Sequence, residues 1–136
     1  MEVTVEHLGA VQFEITARQH KIVSDQPAEN NGFDEGMTPP ELLLASLGSC
    51  AAYYAVDYLK RNKLAADSVT ARVTAEKVKS PFRLDNFNIE VNVDAELDDA
   101  QQKGLEDAVH RCLIHNTLLH PPHMKIAIST PVPEPA

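Results

Sequence analysis

Residues 38–59, TPPELLLASLGSCAAYYAVDYL, predict one long helix with a cysteine, Cys50, in its middle. Thr38 is a typical N-cap residue, and two prolines follow it at positions where a helix needs no N–H donor. Glu41 stands three residues after the cap, which completes a capping box. No charged residue occurs between Glu41 and Asp57. Because a helix that is apolar all round is normally buried on every side, we expect it to form the core and part of a subunit interface.

The composition is that of a soluble globular protein. A length of 136 residues suits one domain, so we expect residues 1–136 to form a single domain. The net charge of −8 and the pI near 5.1 argue against nucleic acid and anionic membranes as partners. The apolar run of the helix is shorter than the roughly 20 residues of a membrane span and contains Ser46, Gly48 and Ser49. The opening MEVTVEHLGA lacks the features of a signal peptide, and two cysteines without such a signal favour a reducing cytoplasm.

The residues before the helix predict three strands and a long loop. Apolar and polar residues alternate over residues 3–5 and 11–17, which is typical of a β-hairpin, and residues 21–23 predict a third short strand. Residues 24–37 predict a loop, and a loop of this length in a small domain is often functional. Phe33 is its one aromatic residue, and it either covers a site as an apolar lid or pins the loop to the core.

After the helix, the same alternation returns in two segments. Residues 69–75 and 87–95 predict two strands with one buried and one wet face, which we expect to pair antiparallel through a connection at residues 80–86.

A second helix is predicted from the N-cap Asp98 to about Asn116, with Cys112 on its apolar face. Residues 124–128 predict a last strand, and the prolines of residues 131–136 predict a frayed tail. Strands, long helix, strands, shorter helix and short strand make an α+β fold, in which each helix contributes one cysteine.

The two cysteines have two readings. Free cysteine is often a buried, inert hydrophobe, and both cysteines fall on apolar helix faces. The alternative is a redox pair, with Cys50 as the reactive thiolate and Cys112 as the resolving thiol. A thiolate in the middle of a helix is too far from the helix N-terminus for the dipole to stabilise it, so it needs a nearby cation. Spacing does not choose among the candidates Arg18, Arg61, Arg72, Arg83 and Arg111.

A histidine-rich segment follows the second cysteine. Cys112, His115, His120 and His123 form the pattern C-x2-H-x4-H-x2-H. Structural zinc sites usually show paired ligands from two knuckles, so this pattern is a weak indication of metal. We expect no metal and no cofactor.

The segments TPPELLLASLGSC at residues 38–50 and HRCLIHNTL at residues 110–118 resemble the OsmC/Ohr family, the osmotically inducible and organic hydroperoxide resistance proteins, in a divergent OsmC-like branch. Residues 20–36, with Asp25 and the glycines after it, also resemble the family's approach to its central helix. The resemblance implies an OsmC-like fold of antiparallel sheets around a long central helix, assembled as an intertwined homodimer.

The resemblance also implies an activity. Family members reduce organic hydroperoxides as thiol peroxidases with their sites at the dimer interface. Cys50 matches the peroxidatic cysteine, Cys112 matches the resolving cysteine, and an external dithiol is the implied reductant.

Two further residues follow from the same comparison. Well-characterised members place an acidic residue directly after a single proline, ten residues before the cysteine; here that place is Pro40, and Glu41 comes one residue later. Their activating arginine comes from the N-terminal region, where Arg18 is the only arginine. Glu41 and Arg18 are therefore the candidates for tuning Cys50.

A rival function from another class uses the same features. In it the chain is a non-enzymatic dimer that binds a hydrophobic small molecule in an apolar interface cavity, and the cysteines are structural. A count of thiols before and after one equivalent of an organic hydroperoxide distinguishes the two functions, and elemental analysis decides the metal-binding alternative.

Overall fold

The computed structural model describes residues 1–135 and has the α+β architecture predicted from the sequence, with two antiparallel sheets and one long helix. The first sheet has the order β1-β2-β3, and the second consists of β4 and β5. The elements are β1 Thr4–Gly9, β2 Gln12–Ala17, β3 His20–Ser24, α1 Pro39–Arg61, β4 Val69–Val78, β5 Arg83–Val93, α2 Asp99–His110 and α3 Leu113–Leu119, with a 3-10 turn at Ala28–Asn30.

The predicted capping box opens α1. The Thr38 hydroxyl accepts a hydrogen bond from the Glu41 N–H at 3.4 Å, and Glu41 Oε1 accepts one from the Thr38 N–H at 3.0 Å. These two bonds satisfy donors that every helix N-terminus leaves free. Two prolines occupy the first positions, and the helix continues to Arg61.

The prediction that α1 is buried on every side is wrong for the single chain. Its buried residues form one stripe at helical spacing: Leu47, Gly48, Ala51, Ala55 and Leu59. This stripe exists because β4, β5, α2 and α3 pack on α1. Away from the stripe, apolar side chains stay in solvent, and Tyr53 is 65% exposed.

By length and composition alone, α1 could cross a membrane, a property that core helices of soluble proteins share. The contacts of its buried stripe with β4 and α2 are those of a core helix.

Strands β4 and β5 form the wall that α1 packs against. Their antiparallel register pairs Ala71 with Val91 and Val73 with Ile89, so half-buried apolar residues share one face. The predicted connection at residues 80–86 is too long, because β5 already begins at Arg83. The register of the strand pair shifts between Thr74 and Glu76. This irregularity coincides with the polar residues that break the alternation near the start of β5.

The predicted second helix is two helices. Its N-cap Asp98 is confirmed by a capping box, but α2 ends at His110 and α3 starts at Leu113. Cys112 lies between them with extended backbone angles, φ −53 and ψ 126, and is the N-cap residue of α3. The placement of Cys112 inside a continuous helix is therefore wrong.

The strand predicted at residues 124–128 is absent from the described residues. Met124, Ile126 and Ile128 do alternate, but they are 84%, 88% and 87% exposed. A strand needs a neighbour that pairs its backbone groups, and the described chain offers none there. Residues 131–135 have no regular structure, and Ala136, the end of the predicted frayed tail, lies outside the described residues.

The three-stranded sheet makes little contact with the other elements of its own chain. Its hairpin and third strand are confirmed, with Val5 opposite Ile15 and Ile15 opposite Ile22. Val5 is 57% and Ile22 50% exposed, however. The apolar face of this sheet, which other elements would normally bury, is therefore exposed in the single chain.

Asp25 organises the long loop between the sheet and α1. Its side chain is buried at 1% exposure and accepts hydrogen bonds from the N–H groups of Gln26, Phe33 and Glu35 at 2.7–3.2 Å and from the Gln12 amide at 3.1 Å. Burial raises the pKa of this carboxyl, but the hydrogen bonds outweigh it and lower the pKa below its ordinary value.

A glycine makes this loop geometry possible. A Cβ at Gly32 would collide with the Gln26 carbonyl, so no other residue fits there without backbone movement. The Asp25 N–H also donates to the Met37 carbonyl at 3.2 Å, which ties the sheet to the start of α1. Phe33 is 61% exposed, so it does not pin the loop to the core of its own chain.

Candidate active site

The fold brings the two cysteines together. Cys50 lies on α1 and Cys112 at the junction of α2 and α3, and α1 packs against both of those helices. Both are free thiols, and Cys50 lies close enough to Cys112 to affect the pKa of its thiol. Cys112 is 1% exposed, whereas Cys50 is only half-buried. The pair therefore consists of one enclosed thiol and one that solutes can reach.

The surroundings of Cys112 favour its protonated form. Burial and the neighbouring Cys50 thiol raise the pKa of the Cys112 thiol, and the backbone N–H groups of His115 and Ile114 offset this only in part. Neither N–H completes a capping hydrogen bond with the sulfur. Cys112 is thus the thiol that holds its proton.

A cavity of about 740 Å³ borders α1 less than one turn before Cys50, which is not itself a lining residue. Leu43 and Leu47 line it from α1, and Cys50 follows Leu47 on the same helix face. Across the cavity, β5 and α3 supply Leu84, Phe87, Ile89, His115, Leu118 and Leu119. The polar residues Arg83, Asp85 and Asn86 also line it, and Arg83 and Asp85 form an ion pair at 2.9 Å. The space suits an apolar molecule with a polar end.

A second cavity, of about 540 Å³, lies on the Cys112 side between α2 and β5. Cys112, Ala51 and apolar residues of β5 and α2 line it, together with the polar residues Gln102, Glu106, His110 and His115. His115 borders both cavities. In the sequence this histidine is part of a possible metal pattern. Its position near Cys112 depends on the break between α2 and α3, which the sequence does not predict.

Arg18, the arginine proposed to activate Cys50, lies in the turn between β2 and β3 with a positive φ of 56°. It is exposed and belongs to none of the ion pairs within residues 1–135. Two other candidates are paired with carboxylates, Arg61 with Asp57 at 2.8 Å and Arg83 with Asp85. The sheet that carries Arg18 makes little contact with α1 in its own chain.

The Glu41 carboxylate takes part in the N-terminal cap of α1. The Thr38 N–H and hydroxyl donate to its carboxylate at 3.0 and 2.8 Å, and these bonds lower the pKa of Glu41. Cys50 comes nine residues later, which is about 13 Å along a helix axis. The carboxylate therefore does not reach the thiol on its own helix, and a bridging group would have to connect them.

The histidine-rich segment is not gathered into a metal site. Among residues 1–135 no three His, Cys, Asp or Glu side chains come close enough to hold an ion. The His110 and His115 rings stand edge to face with centroids 5.8 Å apart.

Comparisons with known proteins identify the family and the fold. Residues 32–127 match the OsmC family profile, described as OsmC-like protein. No curated protein sequence matches the chain.

Three solved structures show the same fold. The first is an osmotic stress induced and detoxification response protein from Psychrobacter arcticus, described as putative, with a TM-score of 0.78 and 26% identity over 88% of each chain. An OsmC-like protein from Mycoplasma pneumoniae has a TM-score of 0.76 and 19% identity over 88% of this chain and 87% of its own. An organic hydroperoxide resistance protein OsmC from Legionella pneumophila has a TM-score of 0.63 and 17% identity over 88% of each.

The profile match covers the end of the loop before α1, the helix of Cys50, the β4–β5 sheet and the junction of Cys112. Because this is well over half of the chain, the protein belongs to the OsmC-like family.

Proposed function

We propose that the protein is a thiol-dependent peroxidase that reduces organic hydroperoxides through Cys50, with Cys112 as the resolving thiol. The observation that carries the proposal is the proximity of two thiols, one half-buried on α1 and one enclosed at the junction of α2 and α3. Two inert core cysteines would have no need of this asymmetry. Membership of the OsmC-like family, and a fold shared with a protein described as an organic hydroperoxide resistance protein, support the same function.

The reaction has two chemical steps and a reduction. The Cys50 thiolate attacks the distal oxygen of ROOH, the O–O bond breaks, and the alkoxide takes a proton and leaves as ROH. Cys50 becomes a sulfenic acid, and Cys112 condenses with it to give a disulfide and water. An external dithiol then reduces the disulfide and restores both thiols.

The burial of each cysteine fits its proposed step. Half-buried Cys50 can meet a peroxide, whereas Cys112 stays protonated and enclosed until Cys50 is oxidised. The apolar lining beside Cys50, supplied by Leu43, Leu47 and Phe87, favours an organic hydroperoxide over hydrogen peroxide.

The active assembly is a homodimer in the cytoplasm. The exposed apolar side chains of the three-stranded sheet and the uncovered side of α1 support a large, core-like interface between two copies. In that dimer we place Arg18 of the partner subunit beside Cys50, with Glu41 as the acidic group that orients the guanidinium. A cation there supplies the thiolate stabilisation that a position in mid-helix lacks.

Substitution of each cysteine tests the proposal. Cys50→Ser should abolish consumption of cumene hydroperoxide, because serine supplies no thiolate. Cys112→Ser should consume one equivalent and then stall with an oxidised Cys50. The variants should therefore differ in a single-turnover assay and look alike under multiple turnover. If the wild type consumes no peroxide, or if Cys50→Ser consumes it like the wild type, the peroxidase function is wrong.

The two apolar cavities favour a second candidate, a dimer that binds a hydrophobic small molecule without reacting with it. In this case the thiol count stays at two after one equivalent of an organic hydroperoxide, whereas the peroxidase loses both thiols.

A further inference from the structure

His115 is a histidine for which the proposed reaction, as written above, has no role. Its Nδ1 atom is shielded from solvent and has no hydrogen-bond partner among residues 1–135. Buried polar atoms in native structures are nearly always paired, so an unpaired one requires an explanation. The explanation depends on what else lies in the same cavities.

The position of His115 in α3 places its side chain next to Cys112. Cys112 is the N-cap residue of α3, and His115 is the third residue of that helix. In α1 and α2 the side chain at this third position turns back to the N-cap residue: Glu41 accepts from the N-cap N–H at 3.0 Å and Gln101 does so at 2.9 Å. In α3 the Cys112 N–H donates instead to the Val109 carbonyl at 3.1 Å, which leaves His115 Nδ1 unpaired, and both Cys112 and His115 line the cavity of about 540 Å³.

We propose that His115 carries the proton of Cys112 when the disulfide forms, an assignment that rests on the thiol chemistry of the proposed function. The resolving step needs such a carrier. Cys112 is enclosed and holds a proton that it must lose before its sulfur can attack.

The proton balance of the step is complete. The Cys112 S–H gives its proton to His115 Nδ1 while its sulfur attacks the Cys50 sulfur, the S–S bond forms and the S–O bond of the sulfenic acid breaks. The leaving hydroxide takes the proton from the imidazolium and becomes water. The Cys50 sulfur is reduced and the Cys112 sulfur oxidised, so no outside oxidant is needed. When a dithiol later attacks Cys50 in the disulfide, the attacking thiol gives its proton to neutral His115, and the imidazolium passes this proton to the departing Cys112 thiolate.

Other titratable groups share the two cavities with His115, and three of them have partners of their own. Arg83 and Asp85 of β5 pair with each other at 2.9 Å. His110 of α2 donates its Nδ1–H to the Glu106 carbonyl at 2.8 Å, since a carbonyl oxygen can only accept. The charged and titratable groups that line these cavities are Cys112 from the junction, Glu106 and His110 from α2, and Arg83 and Asp85 from β5. Cys50 of α1 lies close to Cys112.

A mixed-disulfide reaction tests the inference without any peroxide. Dithiobis(nitrobenzoate) first reacts with accessible Cys50 and releases one thionitrobenzoate. Cys112 then attacks the mixed disulfide and releases a second one, so the second phase measures deprotonation and attack by Cys112. The rates are measured between pH 5 and pH 9 for wild type, His115→Gln and the control His120→Gln. His120 lies at the other end of α3, where its Nδ1 is bonded to the Asn116 carbonyl at 3.0 Å.

We expect His115→Gln to leave the first phase unchanged, to slow the second by about 100-fold, and to change the pH profile of the second phase. His120→Gln should match the wild type in both phases. A second phase within twofold of wild type at every pH in His115→Gln would overturn the assignment.

A measurement on the wild type covers the case in which the variant misfolds. Proton transfer in the second phase should give a solvent deuterium isotope effect above two, and a value of one overturns the assignment. If the wild type is inert toward cumene hydroperoxide but its second phase depends on His115, the peroxidase function fails while the proton-carrier role of His115 stands for thiol–disulfide exchange.

Discussion

Leu47 and Leu59 offer a matched pair for testing how α1 serves both the core and the site. Both are leucines of the same helix with 1% and 0% exposure, but only Leu47 lines the cavity beside Cys50. Replacement by alanine removes three buried carbon atoms, which costs about 2.4 kcal/mol at about 0.8 kcal/mol per group. The cavity left in a packed core raises the total to about 3–5 kcal/mol.

Urea unfolding followed by circular dichroism measures this loss. The protein concentration must be the same for all variants, because the stability of a dimer depends on it. With an m-value of about 2 kcal/mol/M, a loss of about 4 kcal/mol lowers the urea midpoint by about 2 M. We expect this shift for both Leu47→Ala and Leu59→Ala.

The two variants should differ in the cavity. Leu47→Ala enlarges the space beside Cys50 and should increase the affinity for an apolar fluorescent probe, whereas Leu59→Ala should not. A loss below about 1 kcal/mol for Leu59→Ala would refute its place in a packed core. Equal probe affinities in the two variants would refute the position assigned to the cavity.

Three further outcomes are expected. Asp25→Asn should destabilise the protein at neutral pH, and this loss of stability should shrink in acid. Hydrogen bonds lower the pKa of the Asp25 carboxyl in the folded state. Its contribution to stability is therefore present above the unfolded pKa of about 3.9 and disappears as the pH falls through the folded pKa. Urea midpoints from neutral pH to about pH 3 measure this, and a penalty independent of pH would contradict it. Arg18→Ala should shift the pH profile of Cys50 alkylation upward if the arginine stabilises the thiolate, and an unchanged profile removes Arg18 from the site. Sedimentation at micromolar protein should give twice the chain mass of 15.0 kDa, and a stable monomer would exclude the dimer.

Local signals account for the parts of the fold that the sequence predicts well. Thr38 and Glu41 mark the start of α1 because a capping box involves only residues within one helical turn. The alternation around Val73 and Ile89 identifies β4 and β5 because a half-buried strand has a period of two. These features need no knowledge of the rest of the chain.

Tertiary contacts decide the features that the sequence does not reveal. The residues His110 to Leu113 contain no glycine or proline, so nothing local announces the break that makes Cys112 an N-cap residue. The break places Cys112 in the core against Cys50, which is a contact between distant parts of the chain. The strand predicted from Met124 and Ile128 fails for a related reason, since alternation cannot show whether a pairing strand is present.

The residues of the candidate site also include some that the sequence predicts and some that only the structure reveals. The pairing of Cys50 with Cys112 follows from the family resemblance and not from their spacing. The sequence identifies Asp25 only as part of a segment that resembles the family. Its four hydrogen bonds come from residues on both sides of it in the chain, and a local sequence pattern does not show such contacts. The role of His115 depends on the helix junction. The sequence alone shows this residue only as part of a possible metal pattern.

The weak packing of the three-stranded sheet on its own chain has a consequence for the kinetics of refolding. Helix α1, the β4–β5 hairpin and α2 contact one another within one chain, so their assembly should be a first-order process. In the proposed dimer, the apolar residues of β1–β3 are buried only when a second chain arrives. Refolding from urea should therefore show a fast phase that is independent of protein concentration, followed by a second-order phase in which the sheet docks and becomes protected from hydrogen exchange.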